Sequence, residues 1–167
     1  NHGRTTKKPR SSNLIEMNYE TVLYAMLEES FVGNPRIKIL QPKGYHTFLR
    51  IFDFQVRVHH GDWVKYSGGV GGVHIPLLKS IMKWDAQRHA DFDWLGHHHQ
   101  YEKSKKYNIN PSLIGLTPYS ITIKADLQVP SQSMLLIHEK YGKTVEMPIL
   151  LDESTGGGES NAPSITA

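Results

Sequence analysis

The chain of 167 residues contains no cysteine, which excludes disulfides and thiolate metal sites and favours an intracellular, cytoplasmic setting. No apolar run approaches the ~20 residues that a helix needs to cross a bilayer, so no membrane association is expected of the chain by itself. No leader with a charged start and an apolar middle opens it, so no signal peptide is read. The glycine-rich stretch Ser67-Gly68-Gly69-Val70-Gly71-Gly72 lacks the Gly-Lys-Ser/Thr ending of a phosphate-cradling loop. Its glycines are expected to let backbone pass close to a site or to form a mobile lid. An initiating methionine is also missing: the chain opens on Asn1 and runs directly into His2-Gly3-Arg4, as if cut in the middle of a motif.

What is present is ordinary for one globular domain, with 38% hydrophobic and 21% charged residues and a formal charge of +3. Basic residues gather at Arg4, Lys7, Lys8 and Arg10, and again at Lys103, Lys105 and Lys106. Such groups are either solvated surface or a face that meets phosphate or nucleic acid.

Apolar spacing predicts a helix from an Asn13 N-cap to about Ser30, with Val22, Leu23, Met26 and Leu27 on one face. A short strand is expected at Ile37–Leu40, then a strand pair, His46–Ile51 and Phe54–His59, turning near Phe52-Asp53. Pro76 fits the first turn of a second helix that carries Leu77, Leu78, Ile81 and Met82 to about Arg88. Phe92–Leu95 reads as a short buried strand, Tyr101–Tyr107 as a charged loop and Ile121–Leu127 as a strand. Met134–Glu139 and Thr144–Leu150 flank Lys140-Tyr141-Gly142-Lys143, a hairpin signal. Residues 152–167 are expected to be a disordered tail. This order predicts an α/β layered fold whose C-terminal part is mostly antiparallel.

The chemistry is concentrated in histidine. Of ten histidines, five lie in Val58-His59-His60-Gly61-Asp62 and Gly96-His97-His98-His99-Gln100. Each stretch follows a predicted buried strand, and open α/β sheets build their sites beyond the carboxyl ends of strands. In a locally extended loop His97 and His99 point the same way while His98 points away. His60 arrives from another strand end and completes three imidazoles. Neutral imidazole suits zinc, iron, nickel or copper, and manganese when carboxylates join it.

These residues carry a resemblance. Gly96-His97-His98-His99 resembles the Gly-His-x-His motif of calcineurin-like metallophosphoesterases, Val58-His59-His60-Gly61 their earlier His-Gly motif, and Asn1-His2 the end of Gly-Asn-His. The Asn110–Gly115 and Pro118-Tyr119 stretches resemble the strand region that closes such domains. The whole is more similar to phage-encoded members than to classical protein phosphatases. The resemblance implies a metallophosphoesterase-type β-sandwich flanked by helices, with residues 1–151 its C-terminal portion. It implies Asn1, His60 and His97 on a second metal and His99 on a first. His2 would act near the leaving group as general acid or stabiliser of charge, and His59 would be a strand-end neighbour. By chemistry and position Arg4 is expected to contact the substrate phosphate. Two divalent ions, manganese foremost, with zinc, iron or nickel as alternatives, would activate a hydroxide and clamp phosphoryl oxygens.

The sequence also departs from that pattern. Gly3 stands where the family commonly has Asp or Glu, so His2 lacks its orienting carboxylate. Asp-x-His and Gly-Asp-x-x-Asp segments are absent. Asp62, Asp85, Asp91 and Asp93 stand in the wrong context to replace them and are expected to cap or solvate. The chain thus holds about half of a two-metal site. The expected function is metal-dependent hydrolysis of phosphomono- or phosphodiesters, with nucleic acid a candidate substrate. The alternative is a non-catalytic metal- or nucleic-acid-binding module.

Overall fold

Alternation in two neighbouring segments makes a hairpin. Strands β1 (Thr47–Ile51) and β2 (Phe54–His59) pair antiparallel from Thr47 opposite Val58 to Ile51 opposite Phe54. The two-residue turn Phe52-Asp53 joins them, with Phe52 at φ 55°. The structure is a computed structural model, and it describes residues 3–7, 17–41, 43–65, 69–115, 118 and 128–151. Around the hairpin stand helices α1 (Glu20–Phe31) and α2 (His74–Asp85) and strands β3 (Phe92–Leu95), β4 (Glu102–Lys103) and β5 (Tyr107–Ile109), followed by β6 (Ser131–His138) and β7 (Gly142–Leu150).

The main sheet runs β1-β2-β3-β5-β4, with β2, β3 and β5 parallel and the two outer strands antiparallel to their neighbours. Strand alternation sorts its two faces. Leu95, Tyr107 and Ile109 turn to one side and pack with Val73, Leu77 and Ile81 of α2 and its approach. Trp94 and Asn108 turn to the other, where they donate to Ser133 Oγ at 3.1 Å and Glu146 Oε1 at 2.7 Å on the β6–β7 hairpin. Helix, sheet and hairpin make three layers, the layered α/β arrangement that the element order predicts.

Other expectations change. The α1 stripe of Val22, Leu23, Met26 and Leu27 is exposed, and no residue of α1 is buried. Periodicity makes a face amphipathic, but a second element must cover it, and α2 already occupies the helix side of the sheet. The expected Asn13 cap lies outside the described residues; Asn18 instead accepts the Glu20 N–H at 3.0 Å just before the helix begins. No strand forms at residues 37–40, because Asn34 takes the N–H of Arg36 with its side chain and that of Ile37 with its carbonyl. Helix α2 stops at Asp85 and leaves Met82 exposed. The expected loop at 101–107 contains β4 and leads straight into β5, a fully buried three-residue strand. Gly69–Gly72 forms a turn into α2, with the Gly72 N–H on the Gly69 carbonyl at 3.2 Å, and Ser67 and Gly68 of the same stretch lie outside the described residues. The strand expected at Ile121–Leu127 and the tail at 152–167 lie outside the described residues.

The β2–β3 pairing carries a buried ion pair. Arg57 and Asp93 stand opposite each other in register, and both are shielded from water. The guanidinium donates from Nε to Asp93 Oδ1 at 2.7 Å and from Nη2 to Oδ2 at 2.9 Å, a bidentate fork. It also donates to Asp85 Oδ1 at 2.9 Å and to the Arg88 carbonyl at 3.1 Å. Trp84 covers it, with the guanidinium carbon 5.3 Å from the ring centroid. Burial opposes the charge on Asp93, but His59 and Arg57 overcome that and hold its carboxyl below the ordinary carboxylate range. Asp93 is therefore neither a cap nor a solvated carboxylate.

Breaking such a pair strands a charge. Arg57→Met should cost about 3–5 kcal/mol in urea unfolding at neutral pH. Asp93 has a depressed folded pKa, so its stabilisation is present above the unfolded carboxylate pKa of about 3.9 and is lost as pH falls below it. In Asp93→Asn that acid-side loss should be smaller than in the parent.

Candidate metal centre at the strand ends

Parallel pairing sets His59 opposite Leu95, so the chain leaves β2 and β3 at the same end of the sheet, side by side. The next residues stay in contact, with the Gly96 N–H donating to the His60 carbonyl at 3.2 Å. Gly61 then turns at φ 103°, and a Cβ there would lie 3.0 Å from the Gly96 carbonyl oxygen and 3.1 Å from Leu95 Cδ1. Glycine at this position allows the two loops to approach.

The second loop is strained. His97 sits at φ 69° and His99 at φ 56°, a left-handed conformation that side chains other than glycine rarely adopt. The His98 N–H bonds the Gly96 carbonyl at 2.8 Å across His97, making a tight three-residue turn. This turn brings His97 Nδ1 to 3.1 Å from His60 Nε2, with ring centroids 4.9 Å apart. Conformations of this kind cost of order 1–3 kcal/mol each and persist where the surroundings hold them.

The extended geometry expected for residues 97–99 is thus not the one adopted. His97 meets His60, while His98 turns inward, its Nε2 buried without a hydrogen-bond partner among the described residues. Burial, then the charges of His97, His59 and His99, push the His98 pKa down to about 4, so it is neutral at neutral pH. The described residues bring no group of three His, Asp or Glu to metal-binding spacing, so His99 does not complete a triad with the pair. Asn1 and His2 lie outside the described residues.

His59 has a different surrounding. Its side chain is wholly buried, 3.4 Å from Asp93 Oδ1 and among Tyr45, His46 and Trp84. It is a packed strand-end residue, as expected. Desolvation, then His59 and Arg57, lowers the His46 pKa to about 4. Asp91 accepts the Gln55 N–H at 2.8 Å and Asp85 the Ala90 N–H at 3.2 Å, both capping roles. Arg57 escaped the sequence reading; its signal was one Arg and one Asp of opposite charge inside two otherwise buried strands.

A cleft of about 240 Å³ opens beside His60, lined by Asn18, Glu20, Tyr24, Tyr45 and His59 among others. Arg4 bridges to Asn18 on that side of the molecule. The separation of the imidazole nitrogens bears on a metal directly. Two nitrogens bound at about 2.1 Å with an angle near 90–110° lie about 3.0–3.4 Å apart. In this structure the His60–His97 separation is that of a ring-to-ring N–H···N hydrogen bond, and it is also the spacing of two neighbouring positions on one ion; no group of three His, Asp or Glu at metal-binding spacing lies among the described residues.

No family model matches the chain, and no curated protein does. Among solved structures it is similar to wild-type Vps29 complexed with zinc from Entamoeba histolytica, at 19% identity and TM-score 0.44, covering 66% of this chain and 63% of that one. It is also similar to vacuolar protein sorting 29 from Cryptosporidium parvum, at 17% identity and TM-score 0.40, covering 71% and 62%. The chain therefore spans less than two thirds of the length of both.

Strain at His97 can be read by substitution. His97→Gly should be more stable than His97→Ala by about 1–2 kcal/mol in thermal or urea unfolding, since glycine adopts positive φ without the Cβ penalty. Gly61→Ala should destabilise, because the added Cβ meets backbone and the φ of 103° is unfavourable for alanine.

Proposed function

We propose that the chain supplies an imidazole pair to a divalent-metal centre of a phosphoesterase, manganese first among the ions and zinc, iron or nickel next. The observation that supports this reading is the His60–His97 approach at 3.1 Å, made by loops that leave adjacent parallel strands. In the intact protein Asn1 would join His60 and His97 on one ion, and His99 would serve the other. His2 would protonate the leaving group and Arg4 would bind phosphate oxygens. When bound, the metal supplies Lewis-acid polarisation of the phosphoryl group. The chain's own part is to hold two imidazoles in place on a stiff double loop and to leave an open cleft beside them for the ester.

One observation favours a second reading, a metal-binding module without catalysis. No Asp or Glu joins the pair among the described residues, and hydrolysis through two ions needs carboxylates to hold and bridge them. Calorimetric titration of manganese and zinc into the full chain, run beside hydrolysis of bis(4-nitrophenyl) phosphate, tests both. Binding to the parent, weakened at least about tenfold in His60→Ala and in His97→Ala, about 1.4 kcal/mol, is expected. Undiminished binding in both variants would sink the metal assignment. Binding without turnover selects the module over the phosphoesterase.

A further inference from the structure

Away from the histidines, the turn between β4 and β5 faces the β7 strand across an open cleft of about 490 Å³, lined by Lys103, Ser104, Lys105, Lys143, Thr144 and Glu146 with Val145. The main sheet sorts charge into it. Glu102 turns to the helix side, where its carboxylate accepts the Tyr107 hydroxyl at 2.5 Å. Lys103, the next residue of β4, pairs with Asn108, whose side chain reaches the hairpin layer.

The cations of the cleft are held on a fixed frame. Ser104 Oγ accepts the N–H groups of Lys106 and Tyr107, both at 3.1 Å, and the Ser104 N–H bonds the Tyr107 carbonyl at 2.8 Å. Lys105 and Lys106 are thereby the two central residues of a pinned turn, exposed to solvent. Lys143 sets its ammonium 4.3 Å from the Phe92 ring centroid, donates to the Ser104 carbonyl at 2.9 Å and pairs with Glu146. Glu146, the one acid lining the cleft, is also taken by Asn108. Among the described residues no carboxylate pairs with Lys103, Lys105 or Lys106. At the tip of the hairpin that forms the far wall stands Tyr141, 67% exposed, with Lys140 5.5 Å from its ring centroid.

We propose that this cleft binds the phosphate backbone of single-stranded nucleic acid. Lys103 and Lys105 line the cleft and Lys106 follows in the same exposed turn, none of them paired with a carboxylate among the described residues; such groups attract successive phosphates, and lysine does so as a point charge without the two-pronged geometry that reads a base. The exposed Tyr141 ring, two residues before Lys143 on the same hairpin, would give bases that extend beyond the cleft a stacking surface that tolerates any sequence. Binding is therefore independent of sequence, steeply dependent on salt and independent of any metal at the strand ends.

The test is fluorescence anisotropy of a labelled oligothymidylate with the full chain, in EDTA, at rising salt. For three phosphates the log–log salt slope should be about −2, a loss of roughly 16-fold in affinity between 50 and 200 mM. Lys103→Ala/Lys105→Ala/Lys106→Ala should flatten that slope and weaken binding at least about tenfold at low salt, with an unchanged circular dichroism spectrum and melting temperature. Tyr141→Ala should weaken binding by a smaller factor at every salt concentration. Undiminished binding by the triple variant would overturn the proposal and leave these lysines as guards of the β4 edge. So would inorganic phosphate or thymidine monophosphate competing as well as the oligonucleotide at equal phosphate concentration. Because EDTA is present throughout, failure of the metal reading leaves this result untouched.

Discussion

The structure depends on one buried contact, the fork that Arg57 makes with Asp93 across the β2–β3 pair. Main-chain hydrogen bonds alone would tolerate a shifted register in a short parallel pair. A one-residue slip would put Asp93 on the hairpin side and leave Arg57 charged and buried without its acid. The ion pair therefore penalises every register but the observed one, and that register is what sets His60 beside Gly96. Desolvating both groups costs several kcal/mol, so its value lies in the alternatives it excludes more than in net stability.

From that register the candidate centre follows by short steps. Gly61 lets one loop turn against the other, and the turn at His97 aims its ring at His60. The left-handed φ of His97 opposes stability, and the contact it produces is a single hydrogen bond between two imidazole rings. Strain gathered at the place where donor atoms converge is the pattern of a binding site. The far wall of the sheet is organised by the same alternation with the opposite outcome: acid toward the helix, base toward the hairpin cleft.

Much of this was legible in the residues. The β1–β2 and β6–β7 hairpins declared themselves through alternation and turn residues, and the two histidine stretches declared the strand ends. That His60 and His97 meet comes from the adjacency of those ends, which the β2–β3 register shows and the residues alone do not. What failed did so for physical reasons. The α1 stripe is periodic, but periodicity does not say whether another element will cover it. Tyr107-Asn108-Ile109 is too short to show a period, and Asn108 disguises a buried strand as polar. The extended-loop argument for His97 and His99 assumed negative φ, and no sequence rule assigns two histidines to the left-handed region. Asp93 looked solvated because its partner lies 36 residues away.

The central claim is that His60 and His97 act together on one ion. Long-range proton–nitrogen NMR of the imidazole rings, recorded while manganese is added in small steps, reads that claim directly. The account predicts that the His60 and His97 resonances broaden first and together, ahead of those of the exposed His89 and His138. Broadening that reaches His89 and His138 first, or His60 and His97 at different ion concentrations, would contradict it.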